Sequence, residues 1–192
     1  MISIIGIFWL TYIISCYRMI NNDINNFGIG KLKKIFFNSY INVFINVFIV
    51  FPIISPIFIR IGKSNPIKIF PEIFINYFIY EFIYYNIHKK IQNHPIHFKR
   101  HNIELASFTC FYASQIDFIL LNIFPIYIGL FIINAQYFTY IYFTIMETYI
   151  AVITNSKVGN RSSFNIYHIV MCNCNFGINL FFDKYIKTYF PY

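Results

Sequence analysis

The sequence predicts an all-α integral membrane protein, and three observations carry the prediction. Hydrophobic residues make up 58% of the chain and charged residues only 11%, too few to solvate the surface of a 192-residue soluble domain. Mean hydropathy is positive, at +0.56. Residues 35–59 hold no charge over a length that spans a bilayer. Heavy use of Ile, Asn, Lys, Phe and Tyr also marks compositional bias, but bias exchanges one apolar residue for another and does not clear charges from long runs. The net charge of +8 fits cationic loops beside anionic headgroups. It does not fit nucleic-acid binding, because the cations are scattered among apolar segments.

Residues 2–17 form the first predicted membrane helix, ending at Arg18; without a basic region before them they do not read as a signal peptide. Residues 21–34 read as a polar, Asn-rich connection. Residues 35–59 form the second helix, kinked or ended by Pro52 and Pro56. Residues 60–69 read as a basic loop with Arg60, Lys63 and Lys68. Residues 71–87 read as a helix opened by Pro71, with Glu72 in its first turn; whether it spans the bilayer or lies at the interface stays open. Glu81 and His88 share one face of it.

Residues 88–117 are basic and hold His88, His94, His97 and His101. Residues 118–134 and 137–154 are apolar runs split by Ala135 and Gln136, a spacing that predicts a helical hairpin. A hairpin returns the chain to the side it left, so the tail 155–192 lies with the His segment, and His168 comes within reach of His88 and His101. The expected architecture is about four membrane or interfacial helices under one cap, built from the His-bearing loop and the tail. Lys89, Lys90, Lys99 and Arg100, with Lys157 and Arg161, favour the cytosol for that cap. Either way one basic loop, 60–69 or 21–34, breaks the trend. Cys16, Cys110, Cys172 and Cys174 show no disulfide framework.

Neutral imidazole and carboxylate hold iron or zinc. Such donors gather in the 88–117 segment, with Glu104 among its histidines, and at His168 in the tail; His94 and His97 read more simply as interfacial polar residues. Glu147 lies inside the last apolar run, so it is a candidate site residue. Its alternative is a carboxyl group bonded to a neighbouring Tyr or Thr hydroxyl.

Glu81, Tyr85, His88 and Lys89 follow the spacing D-x-x-x-Y-x-x-H-R, and the register continues to His101 at the head of an H-x-x-H-H pattern. Tyr112 to Asp117 (YASQID) looks like Y-A-H-P-x-E, and Phe164 to His168 like H-D-x-H-H. Asn175-Phe176-Gly177 looks like N-Y-G, and Phe182-Asp183-Lys184 with Thr188 like W-D-K-x-x-G-T. In these motifs the chain resembles the fatty acid hydroxylase/sterol desaturase superfamily, most strongly over residues 71–192.

The resemblance implies a single domain over residues 1–192 and an oxidoreductase that uses oxygen to hydroxylate or desaturate a fatty acyl chain or sterol. It implies two His-ligated iron ions, an electron-donor protein as partner, and an endoplasmic-reticulum-type or other intracellular membrane. It assigns His88, His101 and His168 as metal ligands, Glu81 as a partner that orients an imidazole, and Tyr85, Asn175, Gly177 and Asp183 as scaffold. The departures fall on the ligands. Gln92, Glu104, Leu105, Ser114, Phe164 and Tyr167 stand where the pattern has histidine, and Asn155 where the family often has one. The donors that remain suit zero or one ion. Two functional expectations follow: a lipid hydroxylase or desaturase with an impaired centre, and an inactive scaffold that binds lipid or a partner enzyme. A small transporter is a third, with Glu81 and Glu147 as its pathway candidates.

Overall fold

The computed structural model describes residues 2–59, 65–101, 106–156 and 181–186. Among them every regular element is a helix. The first, α1 (Ile2–Phe27), does not stop at Arg18. The connection expected at 21–34 is helical on both sides of Gly28, whose φ of 71° is cheap only for glycine. Most of its polar residues (Asn21, Asn25, Asn26, Lys31, Lys33 and Lys34) face outward, but one charged residue does not. Asp23 is buried and accepts bonds from the backbone N–H (2.9 Å) and the hydroxyl (2.5 Å) of Ser107. Tertiary partners therefore carry the helix through a stretch that composition marks as a loop.

The second rod consists of α2 (Ile29–Phe44), a π-helical stretch (Ile45–Val50) and α3 (Phe51–Phe58). It passes Pro52 instead of stopping there. A proline removes one i→i−4 bond and crowds the carbonyl behind it; the wider π turn just before Pro52 absorbs both effects. The rod ends at Phe58, soon after Pro56, and Ile59 is extended. The same device recurs in α6 (Gln115–Phe118), a π stretch (Ile119–Ile123) and α7 (Phe124–Ile132), where Pro125 follows the π turn.

A 3-10 turn (Pro66–Lys68) leads into α4 (Ile69–Ile91), so the expected basic loop is shorter and the helix runs past His88. The predicted loop 88–117 is also largely ordered, holding α5 (Pro95–His101) and a 3-10 turn (Ser107–Thr109). The predicted hairpin is present: α7 turns at Asn134 (φ 50°) into α8 (Tyr137–Asn155). A short helix, α9 (Phe181–Ile186), packs on α4.

The rods form one bundle with two polar ends. At one end Asn22 of α1 bonds the Ser156 carbonyl beyond α8, and Asp23 holds Ser107. The tail thus begins beside the 88–117 segment, as the hairpin predicts. At the other end Tyr140 of α8 donates to the Phe58 carbonyl (3.2 Å), and Gln136 bonds Asn65. Between them lies an aromatic core, with Phe8 stacked on Phe51 (3.7 Å) and Tyr127 on Tyr140 (6.2 Å). Helices α4 and α7 meet at Gly129, where a Cβ would lie 2.1 Å from Asn76 Oδ1 and 2.9 Å from Ile79 Cγ2. Close backbone approach through a small residue is how helices pack where water supplies no driving force.

Among the described residues three helices are long and apolar enough to cross a membrane: Ile4–Phe27, Ile29–Phe58 and Gln115–Ile132. Large apolar side chains such as Leu10, Phe37, Phe44 and Ile53 stay exposed on them, a surface that suits lipid and not water. The protein is an all-α membrane protein.

Candidate functional site

Helix α4 is polar inside and apolar outside. Phe74, Phe78 and Phe82 are exposed, while Glu81, Tyr85, His88 and Gln92 are buried. Those four recur at spacings of four, three and four residues, so they form one stripe along the helix. A carboxylate, a phenol, an imidazole and an amide thus face the bundle interior, in the register of the motif resemblance.

Helix α5 supplies the second wall. Pro95 opens it, and the exposed His94 accepts a bond from the Ile96 N–H through Nδ1 (3.3 Å). His94 is a helix cap and no part of the cluster. His97, read from sequence as an interfacial side chain, is instead fully buried and central. Its Nε2 lies 3.2 Å from Nε2 of His88, and its Nδ1 lies 2.9 Å from Asp117 Oδ1. His101, one turn further on, sets its ring edge against His97 with centroids 4.7 Å apart. Tyr84 closes the other side with its ring edge on His88 (5.2 Å).

Asp117 is held by the start of α6. Ser114 caps that helix: its hydroxyl accepts from the Asp117 N–H (3.2 Å) and donates to the Ile96 carbonyl (3.1 Å). One side chain therefore ties α6 to α5 and sets the carboxylate against His97. The preceding segment is anchored to the second rod, by α2 and the π-helical stretch after it. Asn46 donates to the carbonyls of Phe111 (2.8 Å) and Ala113 (3.0 Å), and Asn42 accepts from the Ala113 N–H (3.0 Å).

This geometry assigns protons. A carboxylate accepts, so Nδ1 of His97 carries the hydrogen and its Nε2 presents a lone pair toward His88. Two imidazole nitrogens at 3.2 Å need a proton or a cation between them. Gln92 adds a second demand. It is 5% exposed, yet neither its amide nitrogen nor its amide oxygen has a hydrogen-bond partner.

A pair of iron ions does not fit the described residues. Among them no group of three or more His, Cys, Asp or Glu side chains is arranged to hold a metal ion. Two ions require several imidazole or carboxylate donors each. Position 92 offers an amide, and the hydroxyl at position 114 is committed to capping.

Of the other predicted residues, Tyr85 is buried and its hydroxyl accepts from Lys89 Nζ (3.3 Å). Glu147 accepts a 2.5 Å bond from the Tyr80 hydroxyl, the alternative foreseen for it. Asp183 is buried on α9. Glu104, His168, Asn175 and Gly177 lie outside the described residues. Sequence reasoning underrated His97 and left Asp117 out of the site. The available signals were the one-turn spacing of His97 and His101, and a carboxylate three residues after a capping serine at the head of an apolar helix. No family model, curated protein or solved structure matches the chain.

Proposed function

We propose that this is a lipid-binding membrane protein of the fatty acid hydroxylase/sterol desaturase type, whose reduced centre no longer carries out two-iron oxygen chemistry. One observation supports it above others. The stripe Glu81–Tyr85–His88–Gln92 faces the His97–Asp117 pair in the superfamily's register, while positions 92 and 114 hold side chains that do not replace imidazole. When bound, iron in such a centre activates oxygen against a lipid C–H bond. In this chain Asp117 orients His97, Ser114 and Asn46 hold Asp117 in place, and Tyr84 covers His88.

A groove of about 680 Å³ between α4 and α8, lined by Phe70, Phe74, Phe78, Tyr142 and Met146, has the size and apolar character of a small-molecule site. An acyl chain is the occupant that such a lining favours.

The test is a spin-labelled fatty acid titrated into the full chain in detergent, with iron per chain measured in parallel. Saturable binding that weakens in Met146→Trp, with less than two iron ions per chain, is the expected result. Two iron ions per chain and oxygen-dependent conversion of a bound lipid would overturn this reading in favour of a working oxygenase. Absence of saturable lipid binding would remove the proposal.

A further inference from the structure

We infer that a single divalent cation of the zinc or cobalt(II) type is held between Nε2 of His88 and Nε2 of His97, with the amide oxygen of Gln92 as a third donor. The inference uses the same cluster as the proposed function but does not depend on lipid binding.

Three independent features converge. The first is distance. Two imidazoles bound to one ion at about 2.0–2.1 Å and a near-tetrahedral angle bring their nitrogens to roughly 3.3 Å, and the observed separation is 3.2 Å. The second is orientation. A ligating histidine almost always gives its other N–H to a carboxylate or carbonyl, which fixes the tautomer and strengthens the donor nitrogen. Asp117 does this for His97 at 2.9 Å, with both side chains fully buried. The third is the Gln92 amide. It follows His88 by one turn on the same buried face, and a buried amide without partners is costly unless something meets it. A cation with a bound water satisfies both of its ends, the oxygen by coordination and the N–H by donation to the water oxygen.

The donor set departs from the motif. Position 92 is one of the ligand positions the motif comparison counts as lost, and His97 falls outside the motif's histidines. A coordination set of two imidazoles, one amide oxygen and water holds one ion.

The experiment uses the full chain in detergent, stripped with chelator and titrated with cobalt(II) and zinc. The expected result is one ion per chain, with the visible absorption band of tetrahedral cobalt(II). Asp117→Asn weakens binding by roughly 10–100-fold, the usual effect of losing such a partner. Gln92→Leu also weakens binding, yet raises the melting temperature of the metal-free protein. Gln92→His tightens binding at least about tenfold, since imidazole is the better donor to these ions. The last two outcomes do not arise from misfolding, so they keep the test meaningful should His97→Ala fail to fold. No saturable binding, two ions per chain, or binding unchanged in both Gln92 variants overturns the inference.

Discussion

Two buried glutamines sit at opposite ends of this bundle, and their surroundings could not differ more. Gln136, before α8, is 1% exposed and satisfied at both ends: its Oε1 accepts from the Asn65 N–H and its Nε2 donates to the Asn65 carbonyl, each at 2.9 Å. Its backbone N–H goes to Glu72, whose carboxylate also takes the Thr139 hydroxyl (2.6 Å). Glu72 thereby caps α8 from the first turn of α4, which suits a negative charge at a helix N-terminus. Gln92, at the end of α4, is 5% exposed and satisfied at neither end. The lesson is that a buried polar group closed into a network serves the fold, whereas a buried amide left unpaired costs stability.

The comparison can be broken in several ways. The largest effect belongs to the His end. His97→Ala leaves the Asp117 carboxylate buried without its imidazole and costs about 3–5 kcal/mol, read by thermal or denaturant unfolding in detergent. A cost below about 1 kcal/mol would mean that this pair is not the keystone of its end. Gly129→Leu comes next. It drives a side chain into Asn76 and Ile79 and costs about 1–3 kcal/mol by overpacking, while leaving the residues around Gln92 untouched.

Gln136→Leu should destabilise the protein by about 2 kcal/mol through the loss of two bonds to Asn65. Gln92→Leu should stabilise the metal-free protein by about 1 kcal/mol, because it removes an amide that was never paired. The two substitutions are chemically identical and opposite in sign, so measuring both under one condition is the sharpest form of the comparison. If both destabilise equally, Gln92 has a partner in solution and the contrast collapses. The smallest effect is His94→Ala, which removes an exposed cap worth about 0.5 kcal/mol. Metal binding should be unchanged in that variant, and any loss would return His94 to the ligand set.

The tertiary contacts of particular residues explain what could be read in advance. Residues 35–59 and the 118–134/137–154 hairpin were legible because charge-free runs and a short polar break act locally. The face shared by Glu81 and His88 followed from helix geometry alone. The end of α1 was not legible, because Asp23 finds Ser107 across 84 residues of chain. Nor was the survival of the second helix past Pro52, since a π turn is a response to packing that no local rule announces.

The amino-acid order by itself determined an all-helical membrane protein, a polar stripe on α4 and the return of the chain to the His segment, because these depend on hydropathy and on the 3.6-residue repeat. Only the tertiary structure decided which imidazoles meet. His97 rather than His94 joins His88, because Ser114 docks α6 on α5 and carries Asp117 to its ring. A contact of that kind depends on the relative placement of three helices, which no short stretch of sequence encodes.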